Sequence, residues 1–310
     1  MQLSFNSYDS ILTGQYYYLR NGRLLRLAGR VSADGELKLR ESTDLDTAAT
    51  GWFVGRVQPG RTLAGTWHNA AGTVHLPFQL IRLVGTAPPA ADRARVSSKI
   101  YFKVFTLPVA TVPDAAVTKL LAQWFSLESI VGEPVSELRE RLNDPELMHS
   151  GVQAMDYGKL YNDHGLLNIS TTVEGIGASV WYDIRSRTID LNSGFPVVLA
   201  DEIRPELVPE FLKLGQQKLQ KITQKYVPTQ EGFLAPEDVA GVLSQEFSLG
   251  STDEYTVSVA GLTCDHPVNY DGLSNLVWKV LTGNFQVEFT HAELARFLKL
   301  DSPLRRLGRR

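Results

Sequence analysis

The residue types with the most evident chemistry lie in one short run, Cys264-Asp265-His266. Successive residues of a strand point to opposite faces, so Cys264 and His266 would share a side while Asp265 points away. A thiol becomes a nucleophile when an imidazole contacts it and a third group orients that imidazole. Because Pro267 follows at once and is typical of a strand end, a buried thiol beside a turn histidine is the alternative that we favour. Cys264 and His266 are therefore the candidate catalytic pair of a hydrolase interpretation only.

A looser set of metal-ligand types occurs at His149, Asp156, Asp163 and His164. Zinc needs three or four ligands at ~2.0–2.3 Å, usually with tight spacing on one element, and the chain has no His-x-His or His-x-x-x-His pair. Residues 162–165, Asn-Asp-His-Gly, are instead typical of a hairpin turn. Phosphate loops, dinucleotide fingerprints and Gly-x-Ser-x-Gly elbows do not occur. The sequence predicts no metal and no cofactor, and it leaves enzymatic activity open without supporting it.

Composition limits which classes of partner the protein could bind and in which cellular compartment it could be found. The 310 residues are 43% hydrophobic and 21% charged, and their net charge of −3 gives no bias towards nucleic acid. The single cysteine excludes an intrachain disulfide framework, and no apolar run approaches the ~18–20 residues that cross a bilayer. Residues 1–10 lack the basic and apolar regions of a signal peptide. We therefore expect a periplasmic or secreted protein if a leader has been removed, and a cytoplasmic protein otherwise.

The elements that must position these residues divide into two predicted domains, residues 1–86 and residues 96–310. Between them, residues 85–91 (GTAPPAA) are typical of an extended linker. In the first domain, turn signals with glycine separate short apolar or alternating runs. This spacing predicts an antiparallel meander, either open or closed into a small barrel. The predicted strands cover residues 12–19, 24–31, 36–40, 52–57, 62–67 and 73–83.

Three of these strands place a glycine just before an aromatic residue, at Tyr16, Trp52 and Trp67. The pattern is similar to that of avidin-like barrels, in which such strands line a ligand pocket. Core packing is the simpler explanation, because glycine relieves a strand bend and the aromatic ring fills the space beside it. If the domain binds a ligand, the solvent-facing candidates are Tyr16 or Tyr18, together with Trp52 and Trp67, since aromatic rings give a large contact area with little entropy loss.

The second domain mixes helices and strands, which predicts an α+β fold with helices packed on an antiparallel sheet. Apolar spacing predicts a helix over residues 117–125 and a long helix over residues 204–226, with Gly215 on its buried face. Strands are predicted over residues 166–173, 179–184 and 188–191. Residues 285–289 alternate as a half-buried strand, and Thr290 with Glu293 matches a capping box that opens the last helix.

Three phrases of this second domain resemble one bacterial family, the extracytoplasmic domain of lysozyme-sensing anti-sigma factors that also stands beside peptidoglycan deacetylase domains. The phrases are RTIDLNSGFPVVLADEI at residues 187–203, EYTVSVAGL at 254–262 and VEFTHAELARFL at 287–298. Residues 177–180 depart from the family, because its usual histidine is missing, and the transmembrane segment of its sensor members is absent. The resemblance implies an α+β fold, an extracytoplasmic location and binding of a protein or cell-envelope ligand. The first domain is similar to β-rich modules of unknown function that precede such domains.

Together these observations predict a non-catalytic binding protein of the bacterial cell envelope, or a secreted one, that recognises a protein or a cell-wall glycan. One alternative is a hydrolase acting on an envelope substrate. Another is an inhibitor or immunity-type protein that neutralises a secreted enzyme. The sequence leaves the oligomeric state open.

Overall fold

The computed structural model describes residues 1–6, 11–18, 24–32, 34–43, 48–58, 62–81, 91–144, 150–227, 234–252, 254–274, 277 and 285–308. The chain divides into two compact units, Met1–Ala87 with Asp114–Gln123, and Pro88–Pro113 with Trp124–Arg310. Most of the predicted linker, residues 85–90, lies outside the described residues. The predicted domain boundary therefore stays a prediction.

The first unit is built on an antiparallel sheet in which each strand pairs with the next one along the chain. Its strands are β1 (Gln2–Asn6), β2 (Ile11–Tyr17), β3 (Leu24–Val31), β4 (Glu36–Ser42), β5 (Gly51–Gln58), β6 (Thr62–Asn69) and β7 (His75–Ile81). All six predicted strands have a counterpart, and β1 is an addition. The predicted turn between β3 and β4 contains Gly35 at φ +81°.

The sheet of the first unit is a meander with two edges. Barrel closure would need hydrogen bonds between the first and last strands. In the described residues β1 pairs with β2 and β7 pairs with β6, and neither pairs with the other. A closed barrel is thus not confirmed, and the open meander describes the unit. One face of the sheet carries a buried cluster that includes Leu27, Leu37, Leu39 and Phe53.

The helix α1 (Ala115–Trp124) lies with this first unit over most of its length. It begins at Asp114, whose carboxylate accepts hydrogen bonds from the backbone N–H groups of Ala116 (2.7 Å) and Val117 (3.2 Å). Near its other end, the Gln123 side chain accepts a hydrogen bond from the backbone of Leu24 (3.1 Å). The Asp114 carboxylate thus caps the helix, because it accepts from N–H groups that have no partner within the helix.

The second unit contains two sheets. The larger has the order β12-β11-β10-β9-β8, and the smaller has the order β13-β14-β15. Their strands are β8 (Arg95–Tyr101), β9 (Phe105–Thr111), β10 (Gly151–Asp163), β11 (Leu166–Ile176), β12 (Val180–Asp190), β13 (Tyr255–Val257), β14 (Gly261–His266) and β15 (Phe285–Thr290). The pairing is antiparallel apart from the β9–β10 junction, which is parallel. The predicted strands 179–184 and 188–191 form one continuous strand, β12.

The helices of the second unit are α2 (Leu127–Val131), α3 (Val135–Asn143), α4 (Leu199–Glu202), α5 (Val208–Tyr226), α6 (Pro236–Leu243) and α7 (His291–Phe297). The predicted long helix is α5, which begins four residues later than expected because Pro205–Leu207 forms a separate 3-10 turn. The capping box at α7 is confirmed: Glu293 accepts from the Thr290 backbone N–H (2.8 Å), and the Thr290 hydroxyl accepts from the Glu293 backbone N–H (3.3 Å).

Helices pack on antiparallel strands in this unit, as the α+β prediction requires. Phe211 of α5 stacks on Phe289 of β15, with ring centres 5.0 Å apart. Phe297 of α7 meets the Phe211 ring edge-on. All three side chains are fully buried or nearly so. Within the described residues, no helix combines the length and the hydropathy that a bilayer crossing requires.

Candidate functional site

The four aromatic residues predicted as a binding surface differ in exposure. Tyr16 is buried and meets Phe53 edge-on, so of Tyr16 and Tyr18 only Tyr18, at 46% exposure, faces solvent. Trp52 and Trp67 are half-buried. Trp52 packs beneath the Lys38 ammonium, 5.0 Å from its ring centre. A ligand role for these rings stays a prediction.

Two of these four residues, Tyr16 and Trp67, bond to a buried carboxylate that the sequence did not indicate. Glu41 accepts hydrogen bonds from the Tyr16 hydroxyl, the Trp67 indole N–H (2.9 Å) and the Thr50 hydroxyl (2.5 Å). The Tyr18 hydroxyl lies 3.1 Å from that of Tyr16. Burial, followed by the hydrogen bond to Glu41, raises the pKa of Tyr16 above its usual range. The cluster is a closed hydrogen-bond network, which favours the packing interpretation.

Cys264 and His266 do lie on the same side of β14, but that side faces the core. Cys264 is fully buried and His266 is 5% exposed. Burial, with a smaller contribution from Asp265, raises the pKa of the Cys264 thiol above its usual range, while burial lowers the pKa of His266. A reactive cysteine needs the opposite shift and access to solvent. The structure thus places the pair in an environment typical of a structural thiol.

Two of the candidate metal ligands, Asp163 and His164, contact other side chains instead of a shared site. The Asp163 carboxylate is bound by both Nε (3.2 Å) and Nη2 (2.7 Å) of Arg93, which holds its pKa down at about 2. The His164 ring contacts the Tyr161 hydroxyl at 2.8 Å, and His149 lies outside the described residues. The predicted hairpin turn lies between β10 and β11 at His164 and Gly165, both at positive φ, while residues 162 and 163 end β10. Among the described side chains, no three metal-ligating groups come together.

A cavity of about 250 Å³ opens in the second unit, where β12 passes α2. Phe125, Ile130 and Ile169 contribute buried apolar side chains to its lining. Pro196 and Val197 form the wall beside β12, and this wall is fixed because the Tyr255 hydroxyl donates a 2.6 Å hydrogen bond to the Val197 carbonyl. Burial raises the pKa of Tyr255 above its usual range, so the phenol keeps its proton.

Charged side chains complete the cavity. Glu254 accepts a hydrogen bond from the backbone N–H of Ser186 in β12 (2.8 Å). Burial raises the pKa of Glu254, and the Ser186 N–H and the nearby Arg185 and Arg187 guanidinium groups oppose this shift. Both guanidinium groups are part of the cavity wall.

Each arginine of the wall is also held by its own partners. Arg187 donates a 2.8 Å hydrogen bond to the Trp124 carbonyl, and its guanidinium lies 5.3 Å from the Trp124 ring centre. Arg185 forms an ion pair with Asp183 at 2.7 Å. The hydrogen bond and the ring contact thus position the Arg187 guanidinium beside the cavity before any ligand arrives.

The sequence carries no local signal of this cavity. Arg187 and Glu254 begin two of the phrases that carry the family resemblance, but 68 residues separate Ser186 from its partner Glu254. A hydrogen bond between a backbone N–H and so distant a carboxylate leaves no periodic signal. Only the third dimension brings these residues together.

Solved structures similar to this chain include two DUF3298 family proteins, one from Bacteroides fragilis and one from Pseudomonas aeruginosa. Their TM-scores are 0.46 at 10% identity and 0.42 at 13% identity, respectively, and each comparison covers 71% of this chain and 98% of the other. No protein-family model and no curated protein matches the chain. These similarities assign neither a ligand nor a reaction to the chain.

Proposed function

We propose that the second unit binds a protein ligand without catalysis and that the cavity beside β12 receives one side chain of that ligand. The observation that carries the proposal is the cavity itself, whose lining combines buried apolar side chains with Glu254 and Arg187, each held by a hydrogen bond within the unit. Protein interfaces commonly combine an apolar anchor pocket with a polar rim.

The size of the cavity favours a single anchoring group. Its volume of about 250 Å³ lies below the ~300–1,000 Å³ typical of pockets that enclose small molecules. An extended glycan would need a longer groove to bury several rings, whereas one amino-acid side chain would fill this space. The size therefore supports a protein ligand over a cell-wall glycan.

The chemistry of the cavity also favours binding over hydrolysis. Among the described residues that line it, Glu254 is the one carboxylate, and it accepts a backbone hydrogen bond from Ser186. Glycoside hydrolysis ordinarily uses two carboxyl groups on opposite sides of the bond that breaks. The alternative pair, Cys264 and His266, is buried in the core. An inhibitor-type protein would use the same binding surface with an enzyme as its ligand.

We further propose that binding takes place at the bacterial cell envelope or outside the cell. This location is supported by the three phrases that resemble an extracytoplasmic family. That resemblance also suggests the first ligand to try, a lysozyme-type muramidase.

A thermal-shift panel with the full chain tests the class of ligand. We expect a muramidase to raise the melting temperature, because specific binding to the folded state stabilises it by mass action. Peptidoglycan fragments, oligosaccharides and divalent cations serve as the other arms. A shift given by glycans alone would replace the protein ligand by a carbohydrate. Turnover of a peptidoglycan fragment that Glu254→Gln abolishes would overturn the non-catalytic proposal.

A further inference from the structure

The strand β12 is an edge of the five-stranded sheet, and part of that edge is open. Among the described strands it pairs only with β11, in a register without a break. Inward and outward backbone groups therefore alternate along its whole length. The N–H of Ser186 points away from β11, to Glu254. By the two-residue period, Val180, Tyr182 and Ile184 also turn their N–H and C=O groups to the edge.

Beyond Ser186, the chain itself covers the edge. The Thr188 carbonyl accepts a hydrogen bond from the Val197 N–H (2.8 Å), and the Asp190 N–H donates to the Phe195 carbonyl (3.0 Å). Glu254 occupies the Ser186 N–H in the same way. Among the described residues, none pairs with the edge from Val180 to Ile184, which we call the open segment.

The open segment is apolar and lacks the usual protection of edge strands. The side chains of Val180, Tyr182 and Ile184 share one face and are 51%, 62% and 64% exposed. Natural edge strands are commonly protected from pairing by charged residues, lysine above all. The opposite edge of this sheet, β8, carries an exposed lysine, Lys99. The one charge of the open segment, Asp183, forms an ion pair with Arg185.

We propose that the open segment pairs with the same segment of a second copy of this chain. The two β12 strands run antiparallel about a two-fold axis at Tyr182, and the two five-stranded sheets join into one. Val180 then lies opposite Ile184 of the second copy, and Tyr182 lies opposite its own equivalent. An isologous contact of this kind closes at two subunits.

The register with the axis at Tyr182 is selected by two conditions: like charges must not lie opposite each other, and the paired backbone groups must not already be hydrogen-bonded. Outward-facing residues must oppose one another, so the alternatives move the axis along β12 by single residues. An axis at Asp183 would set two aspartates directly opposite each other, which is destabilising. An axis at Ile184 would place Tyr182 against Ser186, whose N–H is already bound to Glu254. An axis at Trp181 would leave Ile184 beyond the start of the other β12.

The pairing is independent of the proposed ligand site. In the register at Tyr182, the paired residues end at Ile184, while the cavity begins at Arg185. Substitutions in the open segment therefore test the dimer without removing a side chain that lines the cavity.

Sedimentation velocity of the full chain over a concentration series provides the first test. We expect the wild type to approach twice the 34.4 kDa mass of one chain. Ile184→Lys should weaken dimerisation at least about tenfold. Ile100→Lys is the matched control, because Ile100 has the same 64% exposure on the opposite edge strand, β8. A wild type that stays monomeric at the highest concentration overturns the proposal, as does a dimer that Ile184→Lys leaves unchanged.

A cysteine placed on the two-fold axis tests the register. Disulfides form between Cα atoms about 4.4–6.8 Å apart, a distance that directly opposed residues of antiparallel strands satisfy. Oxidised Tyr182→Cys should give a covalent dimer that reductant reverses. Ile184→Cys, offset from its own equivalent along the strands, should cross-link much more slowly, and the buried Cys264 should not react. Equal cross-linking of the two variants would contradict the register.

Discussion

Glu41 organises the interior of the first unit around a single carboxylate. The side chain is 3% exposed, and its two oxygens accept hydrogen bonds from Tyr16, Trp67 and Thr50. Buried polar donors cost free energy when they lose their acceptor, because no water replaces it. The stability of this unit should therefore depend on an acceptor oxygen at position 41 and not on the negative charge of the Glu41 carboxylate.

Substitution of Glu41 separates these two contributions. Glu41→Leu should lower the free energy of unfolding by about 2–4 kcal/mol, because it leaves the Trp67 N–H without an acceptor and removes the charged acceptor of the Tyr16 hydroxyl. Glu41→Gln should lose less than about 1 kcal/mol, because its amide oxygen serves both donors while its NH2 group donates to Thr50. Urea denaturation measures both. Glu36→Leu, on the same strand but exposed, is the control and should change stability by no more than about 0.5 kcal/mol. Equal losses for the leucine and glutamine variants of Glu41 would contradict the network.

Glu202 is a second carboxylate whose environment sets a pH dependence. Burial raises its pKa to about 7, and Asp201 and Asp301 add to the rise, while a hydrogen bond from Ser302 and the charge of Lys299 oppose it. The folded protein therefore binds a proton that the unfolded chain, with a pKa near 4.5, releases. Its contribution to stability is complete below about pH 4.5 and is lost as the pH rises through 7.

We expect wild-type stability to fall by about 3 kcal/mol from this group between pH 4.5 and 7, and Glu202→Gln to remove that fall. Urea midpoints at pH 5 and pH 8 provide the measurement, and Glu206→Gln, an exposed neighbour, is the control. If Glu202→Gln and the wild type lose the same stability between the two pH values, the raised pKa is wrong.

At the scale of elements, the contact between α5 and Phe247 depends on a glycine. A Cβ atom at Gly215 would lie 2.2 Å from Cδ1 of Phe247, well inside van der Waals contact. The apolar spacing predicts Gly215 on the buried face of the long helix, and the structure shows that the Phe247 ring occupies the space that a side chain would need. Helix propensity alone would favour alanine at this position by about 1 kcal/mol.

Gly215→Ala therefore tests whether packing outweighs propensity. We expect a net loss of about 1–2 kcal/mol in the free energy of unfolding, because overpacking exceeds the propensity gain. Gln217→Ala, at an exposed position of the same helix, should be close to neutral. Adding Phe247→Leu to Gly215→Ala should give less than the sum of the two single losses, since the smaller side chain relieves the clash. Additive losses would show that the ring and the glycine are not coupled.

At the scale of the whole molecule, what the sequence predicted depends on the range of each interaction. The capping box at Thr290 and the hairpin at residues 162–165 are local, so their residue types were sufficient. The network at Glu41 and the cavity at Glu254 join residues that are distant in sequence. Contacts between such residues produce no periodic pattern in the sequence. Alternation also looks the same in a paired strand and in an edge strand. The open segment of β12 can therefore be recognised only once the order of strands in the sheet is known.

The central claim is that the cavity beside β12 receives a side chain of a protein ligand. Titration calorimetry of the full chain with a lysozyme-type muramidase tests it most directly, with Ser129→Trp and Ser136→Trp as a pair. Ser129 lines the cavity, whereas Ser136 is an exposed serine of α3 outside its lining. The wild type and Ser136→Trp should bind alike, and Ser129→Trp should bind at least about tenfold more weakly because the indole fills the opening. Undiminished binding by Ser129→Trp would contradict the claim.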